Sequence, residues 1–505
     1  MARRPNIVFI MSDDHAANAL SAYGSRLASV FRTPHMDRIA REGARLDNCY
    51  STNAICTPAR ATIMTGQYGH LNGVRTLKDG LDPTRDTFVR HLQAAGYVTA
   101  LLGKWHLHSE PVGFDVFKVL DRPGPNRAAG QQGTYQDPWF VEASKGFVRH
   151  RGYVTDIITE MTLDFLRRRD TARPFFLMCH HKAPHDFWEY AERHEHLLDG
   201  VEVPEPDSLF EDRSHRSDGS RDYGSSIGPR SSVRSLYADF SRPDYVTGPL
   251  TGTEGLSFED KTRAAYRKYL RDYLRTVAGI DESVGAVLAE LARQGILDET
   301  LVIYTSDQGM FLGEHDYQDK RWSFEESLRC PMVVRYPREI PPGSVNDDVI
   351  TNLDLAPLML DFAGLDVPES LAVQGRSFRP NLAGHTPADW RHEVYFRYWM
   401  HRAHRHDVPA HYGLRTKRWK LTFFYGLPLD ATGCLDEPTP PGWELYDMAA
   451  DPFELKNLYD DPAYAEVARD MTARLDAAKR RYGDDDDLYP ELTDLRRKTR
   501  PIRPA

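Results

Sequence analysis

Four short apolar runs punctuate the chain: Ile7–Met11, Val98–Leu102, Phe175–Cys179 and Leu301–Thr305. They lack a strict polar alternation, so each reads as a strand buried on both faces. Amphipathic stretches separate them. Asp156–Arg169 carries Ile157, Met161, Asp164, Phe165 and Arg168, the apolar members about one turn apart. Ser257–Gln294 is a long helical region with Val277, Ile280, Val284, Val287, Leu288 and Leu291 on one stripe. Gly279 and Gly285 are candidate breaks in it, and Gly295 is a natural stop. Such strand–helix alternation predicts an α/β fold: a large, mostly parallel mixed sheet flanked by helices.

After about residue 395 the texture changes. Tyr412–Thr416 and Trp419–Phe424 read as a hairpin and Pro462–Arg481 as a closing helix. This predicts a large domain over 1–395 and a smaller α+β domain over 396–505 with a short antiparallel sheet. Ser214–Ser235, rich in Ser, Arg and Gly, reads as an exposed loop within an insertion at about 205–255. Asp484–Asp487 reads as a solvated terminus.

Composition narrows the function classes. An apolar fraction of 41% with 11% aromatics excludes wholesale disorder. A net charge of −10 argues against a nucleic-acid partner. Five cysteines in 505 residues are no disulfide framework. No run approaches the roughly 18 apolar residues of a membrane span, and Ile7–Met11 is too short for a signal peptide, so the expectation is a cytoplasmic protein with no membrane partner.

The chemistry sits after the strands. Asp13 and Asp14 follow the first, Lys104 and His106 the second, Lys182 and His185 the third, Asp307 and Gln308 the fourth. Ligand sites of open α/β sheets form at the carboxyl ends of strands. Three crowded carboxylates call for a cation, and an all-oxygen set favours calcium or magnesium over zinc. The competing reading is that Asp13-Asp14 caps a helix. Cys56 opens the segment CTPAR, in which Pro58 suits a first helical turn. This places Cys56 at a helix N-terminus, which favours negative charge, with Arg60 one turn on. The competing reading is an ordinary buried cysteine.

Taken together, NIVFIMSDDH, TNAICTPARATIMTGQYGHLNGV, LLGKWH, HHKAPH and TSDQGMFLGEHDYQDKRWSFEESLRCP resemble the motifs of a type I sulfatase of the alkaline phosphatase superfamily, in that family's order. HYGLRTKRWKL and WELYDMAADPFELKNLYDDP resemble its smaller domain. The resemblance implies an alkaline-phosphatase-like fold and oxidation of Cys56, in Cys-x-Pro-x-Arg, to formylglycine by a formylglycine-generating enzyme. It implies one calcium ion held by Asp13, Asp14, Asp307, Gln308 and the modified Cys56. Many members of the family have Asn where this chain has Gln308. It places Arg60, Lys104, His106, His185 and Lys320 around the sulfate. One hydroxyl of the aldehyde hydrate attacks sulfur and the other, deprotonated, expels sulfate. His185 with Lys320 then suits the acid for the leaving alcohol, and His106 the base. Lys182 and His315 read as supporting residues.

The motif surroundings are similar to bacterial N-acetylglucosamine-6-sulfatases and mucin-desulfating enzymes, with His411 facing substrate. The implied substrate is a sulfated sugar or an aryl sulfate. His401–His411 holds four histidines without a metal-ligand spacing and reads as a pocket wall or solvated loop rather than a zinc site. Trp105 and Trp188 stack on substrate or pack in the core. Alternatives are a phosphonate monoester hydrolase or phosphodiesterase of the same superfamily, or a non-catalytic binder of sulfated glycans. Oligomeric state leaves no mark in the sequence.

Overall fold

The computed structural model describes residues 4–124 and 131–499. The main sheet is formed by β1 (Asn6–Ser12), β2 (Ala44–Leu46), β4 (Val98–Gly103), β5 (Val116–Leu120), β6 (Trp139–Glu142), β7 (Gly146–Arg149), β8 (Phe175–His180), β9 (Thr300–Ser306), β10 (Met332–Arg335) and β11 (Ser344–Asn346). β3 (Cys49–Tyr50) and β12 (Ile350–Thr351) pair separately. The main order is β11-β2-β10-β9-β1-β8-β4-β5-β6-β7. The block β9-β1-β8-β4-β5 is wholly parallel, and β10 and β6 run against it.

The strand period of two divides the core. Ile7, Phe9 and Met11 enter a cluster with Ile63, Met64, Phe88 and Leu358. Val8 and Ile10 enter another with Ile158, Phe165, Ile280, Val284 and Leu291. Both faces are thus covered by helices, which is why the central strands read as unbroken apolar runs. The helix Phe258–Arg293 is capped by Ser257 and runs straight through Gly279 and Gly285. Gly285 does not break it. A Cβ there would lie 2.7 Å from the His35 ring, so the missing side chain admits that ring against the helix. None of the described helices is long and apolar enough to cross a membrane.

A second sheet, β13 (Glu393–Tyr398), β14 (His411–Thr416), β15 (Trp419–Phe424) and β16 (Gly442–Asp447), is an antiparallel meander. One face packs on the helix Ala465–Tyr482 through Met471 and Leu475. The other, through Tyr398, Phe424 and Tyr446, packs on Tyr317, Trp322 and Phe324.

Two expectations change. The segment 214–235 is not an exposed loop: Ser220, Ser225, Ser226 and Ile227 are buried. Ser217 and Ser220 donate to Glu444 of β16, and the Gly224 and Ser225 N–H groups donate to the carbonyls of Asp407 and His406. Its polar composition reflects internal hydrogen bonding rather than contact with water. The aspartate run is solvated only in part: Asp485 and Asp487 are exposed, whereas Asp484 and Asp486 are buried. Asp484 is 2% exposed and accepts from Arg397 and Tyr395, while Asp486 pairs with Lys479 and Arg496.

Candidate active site

The four neighbouring strands β9, β1, β8 and β4 end at one rim, and each expected residue pair leaves from one of those ends. At the end of β4, Gly103 has φ +108°, and a Cβ would meet the His180 carbonyl at 1.9 Å. Only glycine turns the chain here and delivers Lys104 inward. Asp14, His106, Asp319 and Arg321 all adopt φ between +58° and +85°. Left-handed backbone at non-glycine residues costs about 1–3 kcal/mol each and gathers where function fixes geometry.

Ligand-capable atoms of Asp13, Asp14 and Asp307 lie within 4.8 Å of one another, as do those of Asp13, Cys56 and His185. All three carboxylates are at most 1% exposed. Gln308 Nε2 donates to Asp14 Oδ1 at 2.5 Å and to Cys56 Sγ at 3.7 Å. Asp13 Oδ1 and Gln308 Oε1 are buried acceptors with no hydrogen-bond donor. A buried acceptor left unpaired costs about 1–3 kcal/mol. Three carboxylates and one amide oxygen, two of whose acceptor atoms are left unpaired, fit an oxygen cage for a hard cation such as calcium or magnesium.

Cys56 opens the helix Cys56–Thr65, every residue of which is buried. Arg60 donates from Nε to Asp307 Oδ2 and from Nη1 to the Lys104 carbonyl, both at 2.9 Å. Lys104 pairs with Asp13 and Gln132. Lys320 Nζ lies 2.6 Å from Asp14 Oδ2 and 3.2 Å from Asp319 Oδ1. His185 Nδ1 lies 2.6 Å from Asp186 Oδ1, and Nε2 3.6 Å from Asp14 Oδ2.

Charge sorts the titrating groups. Burial favours neutral Asp13, but Lys104, His185, Arg60 and Lys320 outweigh it and hold the carboxyl well below its usual range. Burial, then the Asp13 charge, pushes Asp307 up to about 7. Burial and Lys320 oppose a proton on His185, yet Asp14, Asp186 and Asp13 raise it to about 10. Burial, then Lys104, drives His106 well below 6.5. His185 therefore carries a proton at neutral pH and His106 does not.

A cavity of about 280 Å³ opens on this cluster. Cys56, His106, His185 and Lys320 line it, whereas Arg60 and Lys104 lie behind the carboxylates. His411 does not reach it. The register of β14 turns this side chain inward, 1% exposed, stacked on Tyr398 at 5.5 Å. From the same stretch His404 and His406 form the wall instead. Trp105 and Trp188 are core residues. Lys182 is 4% exposed over the Tyr135 ring, and His315 is fully buried against Glu211.

Sequence reasoning missed Asp186, Asp319, Arg321 and Gln132. The first three adjoin His185 and Lys320 within motifs already singled out, and that adjacency was the available signal. Gln132 had none. Arg234, from the 214–235 segment, lies 3.2 Å from both Asp186 Oδ2 and His406 Nε2.

Residues 5–365 match the family model described as Sulfatase, and residues 313–481 match N-sulphoglucosamine sulphohydrolase, C-terminal. The N-acetylglucosamine-6-O-sulfatase of Bacteroides thetaiotaomicron is 40% identical over 520 residues, covering 96% of this chain and 88% of that protein. A protein solved in complex with its substrate D-glucosamine-2-N,6-O-disulfate superposes with a TM-score of 0.84 at 38% identity, over 97% of this chain and all of that one. The phosphonate monoester hydrolase of Silicibacter pomeroyi shares the fold at 21% identity and a TM-score of 0.71, over 95% of this chain and 96% of that one. A family model over most of the length and a relative at 40% identity show that the chain belongs to the sulfatase family, the hydrolases of sulfate esters.

Proposed function

We propose that the protein hydrolyses the 6-O-sulfate of a glucosamine derivative, using a formylglycine made from Cys56 and a calcium ion. The wall of the cavity carries this reading. Beside the reacting groups it offers Asp319, Arg321, Gln132 and His406 to a ligand, and among the described residues Leu77 is its one aliphatic side chain and it has no Phe, Tyr or Trp ring. Such a surface suits a polyhydroxylated ring better than an aryl group. The names of the relatives described above support the same substrate class.

Asp13, Asp14, Asp307 and Gln308 would hold the calcium, which supplies electrostatic stabilisation of negative charge at the nucleophile. The formylglycine hydrate supplies a nucleophilic hydroxyl and a second one whose deprotonation expels sulfate. Arg60 opposes the protonation of Asp307 and orients its carboxylate. Lys320, which lines the cavity, places positive charge beside the sulfate oxygens, and Lys104 adds positive charge from behind Asp13. His185 gives its proton to the leaving alcohol, and the neutral His106 ring accepts one.

The reading is tested by sulfate release from N-acetylglucosamine-6-sulfate, compared with p-nitrophenyl sulfate and phenyl phosphonate turnover. The sugar sulfate is expected to have the highest kcat/KM; faster phosphonate cleavage overturns the assignment in favour of the phosphonate hydrolase alternative.

Two further outcomes follow from His185. A general acid matters most when the leaving group is poor, so His185→Ala is expected to slow the sugar sulfate about 10²–10³-fold and p-nitrophenyl sulfate far less. Equal losses on both substrates refute the acid role. Asp186 holds the proton on His185 through Nδ1, and a cation on Asp13 and Asp14 weakens their share of that effect. An acid is active below its pKa and lost as pH rises through it. Asp186→Asn is therefore expected to move the alkaline limb of the kcat profile to lower pH; an unmoved limb excludes this control.

A further inference from the structure

The acid of the reaction has a support that reaches it from outside the four strand ends. His185 Nδ1 takes one oxygen of Asp186, Oδ1, at 2.6 Å. The other, Oδ2, lies 3.2 Å from Arg234 Nη2. Nη1 of the same guanidinium lies 3.2 Å from Nε2 of His406 in the cavity wall, and Nε donates to Asp239 Oδ2 at 3.0 Å. All three guanidinium nitrogens are therefore occupied. The backbone around Arg234 is tied down as well. Its carbonyl accepts from the Ser226 N–H, the Ile227 and Gly228 N–H groups donate to Asp316, and Ser235 caps the helix Leu236–Phe240 that carries Asp239.

An arginine that ties a loop to the body of a protein is ordinarily structural, and many such pairs contribute little. Two observations separate Arg234 from that case. Its side chain is 11% exposed, so solvent screens it weakly. The oxygen it holds belongs to the group that fixes His185. A carboxylate torsion is broad and two-fold, so the single contact to His185 leaves the plane of Asp186 free to turn, and a second contact at Oδ2 fixes it. The planar guanidinium does this while gripping His406 and Asp239, which a point charge on a flexible stem cannot. With Nδ1 committed to Asp186, Nε2 is the nitrogen of His185 left for the substrate.

We propose that Arg234 is a positioning residue for the leaving-group step: by fixing the Asp186 carboxylate it holds the His185 ring in the orientation that delivers the Nε2 proton to the alcohol oxygen as the bond from that oxygen to sulfur breaks. The same fork sets His406 in the cavity wall, so one residue of the segment 214–235 joins the acid to the surface that receives the substrate. This rests on the sugar substrate and on the acid role given to His185 above.

The test compares kcat for N-acetylglucosamine-6-sulfate and p-nitrophenyl sulfate in Arg234→Ala. The sugar alcohol is a poor leaving group that needs the proton, whereas p-nitrophenolate departs without one. The variant is expected to lose about 10- to 100-fold on the sugar sulfate, the scale of a misplaced reacting group, and far less on p-nitrophenyl sulfate. Arg234→Lys, which keeps the charge without the fork, is expected to fall between Arg234→Ala and wild type. In a His185→Ala background, Arg234→Ala is expected to lower kcat on the sugar sulfate no further, since the two act through one proton transfer. An Arg234→Ala enzyme with no loss, with equal losses on both substrates, or with its full loss retained in the His185→Ala background overturns the positioning role and leaves the acid role standing. A His185→Ala enzyme that slows both substrates equally overturns the acid role, and wild-type protein that leaves the sugar sulfate uncleaved overturns the substrate; either result takes the positioning role with it.

Discussion

Cys56→Ala is expected to lower sulfate release by at least about 10⁴-fold, because a nucleophile removed from an otherwise intact site leaves only binding and electrostatics. The fold is expected to survive. Among the described residues the Sγ atom has one hydrogen-bond contact, the Gln308 amide at 3.7 Å, and Cys56 caps nothing, since the preceding Ile55 occupies the cap position. Removing a single small buried atom costs about 1 kcal/mol. Circular dichroism melting alongside turnover separates the two effects, and a fully active Cys56→Ala enzyme refutes the nucleophile. Peptide mass spectrometry of protein from its native host is the companion measurement. Only unmodified thiol at Cys56 in active enzyme is incompatible with the aldehyde chemistry.

Asp307→Ala is expected to cost roughly three orders of magnitude in turnover, comparable to the loss of a major oxyanion-stabilising group. Asp307 faces Asp13 and Asp14 and holds Arg60. Chelator-treated wild-type protein is expected to lose activity and to recover it with calcium. Calcium at a hundred times its Kd stabilises the fold by about 2.7 kcal/mol, readable as a rise in Tm. The pH dependence has a definite sign. Without the cation, burial and Asp13 place the Asp307 titration at about 7, so below that pH the carboxyl carries a proton that calcium must displace. Calcium affinity is expected to fall as pH drops through about 7, with proton release seen as a buffer-dependent heat in titration calorimetry. An affinity flat between about pH 6 and 8, with no proton released, rules out a protonated Asp307 in the cation-free site.

The legible part of this site was whatever a buried parallel strand forces on the sequence. Such a strand is apolar to its last residue, and the polar groups that follow it must face a common rim, so Asp13, Lys104, His185 and Asp307 could be grouped without contact information. Register and partner choice were not legible. His411 looked as accessible as His406, and only the pairing of β14 with β13 and β15 sends one ring into the core and leaves the other at the cavity. Ser217 and Ser220 carry the composition of a wet loop, and their acceptor, Glu444, stands more than two hundred residues away. Asp484 reads as solvent-facing until Arg397 is placed beside it. Polar residues state that they need partners, but not which ones.

The pairing of β1 has a consequence for the order of events at the ribosome. The first strand made lies in the middle of the sheet, and its two neighbours begin at residues 175 and 300. At about 5–20 residues per second, some 10–50 s pass between the emergence of Cys56 and that of β9. Through that interval the cage around the thiol is missing one wall, whereas in the finished protein the thiol is 1% exposed at the floor of a narrow cavity. A macromolecular catalyst acting on Cys56 would therefore find the thiol more open in the nascent chain than in the finished fold.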